Sequence, residues 1–179
     1  MRFLFIFLLI NFNVKAQQSY KDSIQAFVDD YKSNHGVVKN GDRQYLQFFP
    51  IDEKARIKAH FEPVKNAEWF NLPTSSGRTK MYRQYGKLSF LYEGSMQVLY
   101  VYQSQSLLQD PKHMNDLFLP FTDLTTGKES YETGRYIDLT VSDIKGSQIT
   151  VDFNKSYNPY CAYVSGIYSC PIPPKENRL

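Results

Sequence analysis

The sequence predicts a mainly β fold, either an antiparallel sandwich or a partly closed barrel, with one amphipathic helix at the N-terminal end. Three observations lead to this prediction. Short segments of alternating apolar and polar residues recur at regular spacing, with turn residues between them. The chain holds 14 Tyr and 13 Phe, which are residue types that favour strands. One stretch follows the period of a helix.

The helix is expected close to the start of the chain, where apolar residues recur at the helical period and charged residues occupy the opposite face. Ser19 is a suitable N-cap and Gly36 a suitable end for this helix. The pattern is typical of a helix that packs against a sheet. The apolar positions are Tyr20, Ile24, Phe27, Val28 and Tyr31.

From residue 45 onward the period of the sequence changes to two. The first such segment predicts a strand with one wet face, because small and apolar residues alternate with charged ones at Ala55, Ile57, Ala59 and Phe61. Residues 88–92 and 96–102 are expected to form a hairpin with Gly94 and Ser95 as its loop, since glycine takes the positive φ of a tight turn. One face of this hairpin carries Leu88, Phe90, Leu99 and Val101.

A third pair of segments, 136–141 and 148–154, is interpreted as another hairpin. Both segments place an apolar residue at every second position, so the pairing register is expected to keep those residues on one face. The residues concerned are Ile137, Leu139, Val141, Ile149, Val151 and Phe153. Such a register brings Asn154 close to Gly134, Arg135 and Tyr136.

The first sixteen residues, MRFLFIFLLINFNVKA, are typical of a signal peptide. The apolar run is shorter than the roughly 20 residues needed to span a bilayer, although a membrane anchor is the alternative interpretation. We therefore expect an exported protein, periplasmic or extracellular, in which residues 17–179 form a single β-rich domain. Loss of Arg2 and Lys15 reduces the 21 basic residues to 19, against 18 acidic ones, and no basic stripe indicates a nucleic-acid partner.

The two cysteines, Cys161 and Cys170, lie in a proline-rich C-terminal tail. A structural zinc site needs four ligands and a nucleophilic cysteine needs an activating base, but the histidines lie far away in the sequence. A disulfide fits an exported chain with an even number of cysteines. Closing a ring of this length stabilises a protein by roughly 2.5–3 kcal/mol in the chain-entropy view.

Several long stretches resemble a family of bacterial and archaeal proteins known as domain of unknown function 1684. They are FFPIDEKARIKAHFEP, YGKLSFLYEG, PFTDLTTGKESYETGRYIDL, VDFNKSYNPYCAY and YSCPIPPKENRL. The resemblance implies no established activity. Members of the family continue past the last stretch into another short apolar segment, whereas this chain ends at Leu179, so a missing final strand is one expectation. The signature positions that the resemblance implies are Asp123, Thr126, Gly127, Tyr131, Gly134, Arg135, Asn154, Tyr157, Asn158, Pro159, Cys161, Cys170, Pro171, Pro173 and Asn177.

A non-catalytic binding module for a small polar, anionic or sugar-like ligand is the function that these residues favour. Arg135 offers a fork for a carboxylate or phosphate, while amide and aromatic side chains offer neutral contacts. The expected ligand-binding residues are Arg135, Asn154, Tyr157, Asn158, Tyr136, Tyr163 and Asp123. The same Arg135 and Asn154 would equally suit a purely structural role, satisfying buried backbone groups where the tail crosses the sheet.

Two other classes of function stay open at this point. A hydrolase with paired carboxylates would draw on Asp123, Asp138 and Asp152, of which the last two are expected on the polar face of the third hairpin. A structural or interaction subunit in the periplasm would present sheet edges or tyrosines to another protein. No phosphate loop, dinucleotide fingerprint or zinc motif is present in the sequence, so neither a cofactor nor a metal is expected.

Overall fold

A computed structural model describes residues 17–179 in full and the backbone of residues 4–16. The signal-peptide prediction for residues 1–16 thus falls outside the fully described part. Helix α1 spans Leu4–Asn34. The strands are β1 (Arg56–Pro63), β2 (Phe70–Pro73), β3 (Thr79–Tyr92), β4 (Ser95–Ser104), β5 (Asp116–Phe121), β6 (Arg135–Thr140) and β7 (Gln148–Asp152).

All seven strands belong to one antiparallel sheet in the order β6-β5-β4-β3-β1-β7, with β2 paired to β3. The sheet curls into a half-barrel, so the prediction of a mainly β fold with one N-terminal helix is confirmed, and the partly closed barrel is the correct closure. In the part of the chain that the structure describes, no helix combines the length and the apolar character needed to cross a membrane.

Helix α1 packs on the sheet through the face that the sequence predicts. Ile24 and Val28 are buried, and Tyr20, Phe27 and Tyr31 are half-buried. The predicted N-cap is wrong, because Ser19 lies inside the helix rather than at its start. The helix ends at Asn34, two residues before the predicted end at Gly36.

The core lies on the inner face of the half-barrel. Strand β1 contributes Ile57, Ala59 and Phe61, as the alternation predicts, and the second hairpin contributes its predicted apolar face. The hairpin loop is Glu93–Gly94 instead of Gly94–Ser95, since Tyr92 pairs with Ser95. Both loop residues have positive φ, 48° and 79°, as a two-residue hairpin turn requires. The shift leaves every side chain on its predicted face.

The third predicted hairpin is not formed. Strand β6 pairs with β5, and β7 pairs with β1, so the two segments lie at opposite ends of the strand order. The predicted apolar faces of the two segments are nevertheless correct, since Ile137, Leu139, Ile149 and Val151 are all buried in the core. Alternation decides which face a residue occupies, but it does not decide which strand lies beside it.

The C-terminal tail bonds backbone groups between β4 and β5, two strands that pair only at Tyr102 and Phe118. Asn177 is fully buried beside these two strands. Its amide accepts from the Tyr100 N–H at 2.8 Å and donates to the carbonyls of Tyr100 and Pro120 at 2.8 and 2.7 Å. One side chain therefore replaces the missing part of the strand ladder.

Candidate functional site

Arg135 begins strand β6 and is 8% exposed. Its Nη2 lies 2.5 Å from the Asp123 carboxylate, and its Nη1 donates to the Ser156 hydroxyl at 2.9 Å. The rings of Phe49 and Phe121 lie on the guanidinium, with centroids at 4.7 and 5.2 Å. Arg135 thus reaches the tail, as expected, but both of its Nη groups donate to protein groups, while its buried Nε has no partner among the described residues. Its role in ligand binding stays a prediction.

Asp123 is held from two sides. Its carboxylate accepts from the Thr125 backbone N–H at 3.0 Å and from the Thr125 hydroxyl at 2.6 Å, in addition to the bond from Arg135. Burial by itself would raise the pKa of Asp123, but the bonds from Thr125 and the charge of Arg135 together lower that pKa. The carboxylate is therefore ionised and saturated with partners inside the protein.

Asn154 follows strand β7 in the turn Phe153–Lys155, and none of its side-chain hydrogen bonds goes to residues 134–136. Its amide oxygen accepts from the Asp52 N–H at 2.8 Å. Its amide nitrogen donates to the Asp52 carbonyl at 2.8 Å, to the Tyr20 hydroxyl at 2.9 Å and to Asp152 at 2.9 Å. Asn154 therefore joins the helix, the segment before β1 and the end of β7.

The tail meets strand β6 three residues later, at Tyr157. Tyr136 and Tyr157 exchange backbone hydrogen bonds of 2.9 and 3.0 Å, and the Tyr136 hydroxyl donates to the Pro171 carbonyl. The Tyr157 hydroxyl donates to the Asp138 carboxylate, lying 2.8 Å from both oxygens. Asp138 and Asp152, the acids expected to approach each other, have different partners on opposite edge strands.

The two remaining predicted residues lie further along the tail. The Asn158 side-chain oxygen accepts from the Tyr131 N–H at 3.3 Å. The Tyr163 ring packs on His35 at the end of α1, with ring centroids 5.6 Å apart. The structure thus separates the seven predicted residues into an Arg135–Asp123 pair, an Asn154 network, and a group around Tyr157 that comprises Tyr136, Asn158 and Tyr163.

Cys161 and Cys170 are placed for a disulfide, with Cα atoms 6.2 Å apart. The ring that they close is anchored on the turn between β2 and β3. The Ser75 N–H donates to the Cys170 carbonyl at 2.9 Å, and the Ser75 hydroxyl lies 3.0 Å from the Cys161 sulfur. These contacts describe a structural tail rather than a reactive thiol.

A recess of about 260 Å³ opens on the outer face of the sheet, where β3, β4, β5 and β6 lie side by side. The strand register brings Asp138 opposite Phe118, and Asp116 into the diagonal position next to Asp138. Tyr82 forms another wall of the recess. At its edge, His113 Nδ1 lies 2.7 Å from the Asp116 carboxylate.

The recess is acidic. The Asp138 side chain is partly exposed, but the surrounding protein desolvates its carboxylate and thereby raises its pKa. The hydrogen bond from Tyr157 lowers this pKa, and the negative charge of Asp116 raises it further. Burial, followed by the charge of Asp138, raises the pKa of the Tyr157 phenol well above its ordinary value. Burial likewise raises the pKa of Tyr82 to about 12. The phenols are thus neutral donors around two carboxylates.

Sequence reasoning missed Asp116, His113 and Tyr82. The alternation of Asp116 with Leu117 does indicate an outward carboxylate, but the partner of β5 has to be known before Asp116 can be placed beside Asp138. Across residues 17–179, no three side chains of the His, Cys, Asp or Glu type come together in a metal-binding arrangement. The recess therefore offers carboxylates, phenols and aromatic rings as its contacts.

Residues 43–179 match the model of a family described as protein of unknown function (DUF1684). The chain belongs to this family. It is also similar to an uncharacterized protein of Haloarcula marismortui whose structure was determined by solution NMR. The two are 32% identical, the similarity covers 92% of this chain and 91% of the other, and the TM-score is 0.67. No curated protein matches the chain.

Several of the signature positions that the resemblance implies lie where the tail joins the sheet. Asn154 and Asn177 each bond several backbone groups, as described above. Gly134 has a φ of 107°, and a Cβ there would lie 2.5 Å from the Phe121 carbonyl and 2.9 Å from the Pro173 ring. Tail attachment explains Asn177 and Gly134, whereas Asn154 holds the end of β7 to α1 and to the segment before β1. Tyr157 differs from them, because its hydroxyl bonds an acid of the recess.

Proposed function

We propose that the protein is an exported, non-catalytic binding module that holds a small, sugar-like molecule in the recess at Asp138. The observation that carries the proposal is the meeting of the Asp138 and Asp116 carboxylates with the rings of Tyr82 and Phe118 around one cavity of about 260 Å³. Ligand sites typically combine apolar walls with a few fixed polar groups. A volume just below the usual range of ligand pockets, about 300–1,000 Å³, suits a ligand no larger than about one sugar ring.

The charge of the recess favours a neutral, polyhydroxylated ligand over an anionic one. Carboxylates accept hydrogen bonds from hydroxyl groups, whereas two acids beside each other repel a third anion. Aromatic rings offer an apolar face to the carbon skeleton of such a ligand. Arg135, the cation expected to bind an anionic ligand, directs its two Nη groups to Ser156 and Asp123 instead.

A thermal-shift screen with matched ligands tests this proposal. Neutral monosaccharides are compared with the corresponding uronic acids, and each hit is followed by calorimetric titration. We expect saturable stabilisation by a neutral sugar and none by its acid form. Asp138→Asn should weaken binding about tenfold or more, since a hydrogen bond to a charged group contributes roughly 1.5–3 kcal/mol. Glu129→Gln, at an exposed acid of the 122–131 turn, is the control and should change nothing.

The proposal is overturned if no neutral sugar stabilises the protein, or if Asp138→Asn and Glu129→Gln bind a hit equally well. Preference for the uronic acids would also contradict it, because that result requires a cation at the site. Binding of the uronic acid to the Arg135→Met variant would then test whether Arg135 is that cation.

Hydrolysis of a sugar bond is a second candidate function, favoured by the diagonal placement of Asp116 and Asp138. The Cα atoms of diagonal neighbours on adjacent strands lie about 7–8 Å apart. Inverting glycosidases hold their two carboxyl groups about 6.5–9.5 Å apart. The raised pKa of Asp138 suits a general acid. Release of nitrophenol from aryl glycosides measures this activity, and turnover that survives Asp138→Asn rules it out.

Export rests on the N-terminal sequence, with its basic start, short apolar run and small residues near Ala16. We expect the mature chain to begin near Gln17. Mass spectrometry of protein isolated from its native source gives the N-terminus directly. Retention of residues 1–16 in that protein would contradict export by cleavage.

A further inference from the structure

Two polar side-chain atoms at the end of helix α1 lack hydrogen-bond partners among the described residues. Tyr31 Oη and His35 Nε2 are buried, and neither has a hydrogen-bond partner among the residues that the structure describes. The His35 side chain is only 4% exposed. Tyr31 lies in the last turn of the helix and His35 directly follows the helix, and their ring centroids lie 5.2 Å apart. Native proteins rarely leave two neighbouring buried groups unpaired, so they indicate a partner from outside the chain.

The protonation of His35 is determined by its backbone contacts. Its Nδ1 accepts from the Val38 N–H at 2.9 Å and from the Val37 N–H at 3.3 Å. A neutral imidazole that accepts through Nδ1 carries its hydrogen on Nε2. Burial, then the positive charges of Lys39 and Arg43, lower the pKa of His35, which keeps the ring neutral. The free atom is therefore an N–H donor aimed into the cluster.

Aromatic rings of the tail enclose the two donors. The rings of Tyr160 and Tyr163 lie against His35, with centroid distances of 5.1 and 5.6 Å, and the Tyr157 ring lies 5.3 Å from Tyr31. Tyr160 is 37% exposed, so it forms the wall between His35 and solvent.

The charges around the cluster favour an acceptor group at the His35 end. Lys39 Nζ donates to the His35 carbonyl at 3.1 Å, and Arg43 lies near enough for its charge to act on His35. Arg43 Nε is itself buried and has no partner within the described part of the chain. On the opposite side, Asp138 lies toward Tyr31. An anionic group is thus favoured beside His35, and its apolar remainder beside the rings.

We propose that this cluster is a second ligand site, which binds a small monocarboxylate through the His35 Nε2–H and the Tyr31 hydroxyl. An ionised carboxylate only accepts hydrogen bonds, so it can accept from both the His35 Nε2–H and the Tyr31 hydroxyl. The aromatic walls suit the short organic body of a monocarboxylate. This site lies on the tail side of Tyr157, whereas the recess lies on the sheet side, and the inference does not depend on the sugar proposal.

Titration with sodium acetate, against sodium chloride at equal ionic strength, tests the site. The readouts are the melting temperature and the NMR resonance of the His35 Nε2–H in the ¹⁵N-labelled full chain. Tyr31→Phe removes one hydroxyl and keeps the ring, while Tyr45→Phe makes the same change at a side chain that is 62% exposed. Inorganic phosphate serves as a second anion of different shape.

We expect acetate to shift the His35 resonance in a saturable manner and to raise the melting temperature. Tyr31→Phe should weaken acetate binding at least fivefold without lowering the melting temperature of the free protein, and Tyr45→Phe should behave as wild type. The proposal is overturned if acetate acts no differently from chloride, or if Tyr31→Phe binds acetate as wild type does. Equal binding of phosphate, sensitive to Tyr31→Phe, would overturn the carboxylate assignment.

Discussion

Arg135 and Asp123 form an ion pair at the start of β6, in which the two side chains are only 10% and 20% exposed. The pair joins the turn at residues 122–131 to the sheet, while the bond from Arg135 to Ser156 adds the beginning of the tail. A guanidinium held on both sides in this way is a structural clamp. This contact bears directly on the choice between a ligand role and a scaffold role for Arg135.

Arg135→Met should therefore destabilise the protein. Removing one partner of a buried pair leaves the other charge uncompensated, which costs about 3 kcal/mol or more. For a chain of this size that corresponds to a melting temperature lower by about 6–12 °C. Differential scanning calorimetry measures the change, with the exposed Arg78→Met as control. Unchanged melting with weaker ligand binding would instead assign Arg135 to a ligand.

Asn177→Ala should open the sheet between β4 and β5. The side chain serves the N–H and carbonyl of Tyr100 and the carbonyl of Pro120, and each buried group left unpaired costs about 1–3 kcal/mol. We expect a loss of about 3 kcal/mol or more in the free energy of unfolding, measured by urea denaturation. Asn115→Ala, at an exposed position, is the matched control. Similar losses in the two variants would show that the hydrogen bonds of the Asn177 side chain contribute little to stability.

Reduction of the Cys161–Cys170 bond should lower stability while leaving the strands intact. Closing a ring of this size contributes roughly 2.5–3 kcal/mol. Urea unfolding with and without reductant measures the difference, and far-UV circular dichroism should keep its β signature. Two titratable thiols in the unfolded, unreduced chain would disprove the bond.

His35 should make stability depend on pH. Its pKa is lowered in the folded state by burial and by the charges of Lys39 and Arg43. A group with a depressed folded pKa contributes stability above its unfolded pKa of about 6.5, and that contribution disappears as the pH falls through the folded value. We expect the free energy of unfolding to fall below about pH 6.5, by up to about 1.4 kcal/mol per pH unit.

His35→Asn keeps an acceptor for the Val38 N–H and removes the titration, so its pH profile should be flatter. His113→Asn, at a side chain that is 50% exposed, is the control and should follow wild type. Urea unfolding between pH 7.5 and 5 gives the three profiles. Identical profiles for wild type and His35→Asn would contradict the prediction.

Several local features of this protein follow from the sequence by itself. The alternation of apolar and polar residues placed Ile57, Leu88, Ile137 and Val151 on the inner face, because successive side chains of a strand point to opposite faces of the sheet. Even the misplaced loop at Gly94 left the faces unchanged. The helix face and the pairing of Cys161 with Cys170 likewise depend on short-range spacing or on the count of cysteines.

Tertiary structure decided which strands are neighbours, and the candidate sites with them. The segments containing Asp138 and Asp152 alternate in the same way, yet closure of the half-barrel places them on opposite edges. Asp138 therefore meets Asp116 of β5 and Tyr157 of the tail, and Asn154 meets Asp52. A single sequence specifies the face of each residue through local alternation. Its partner across the sheet depends on the packing free energy of the whole chain, which no short stretch contains.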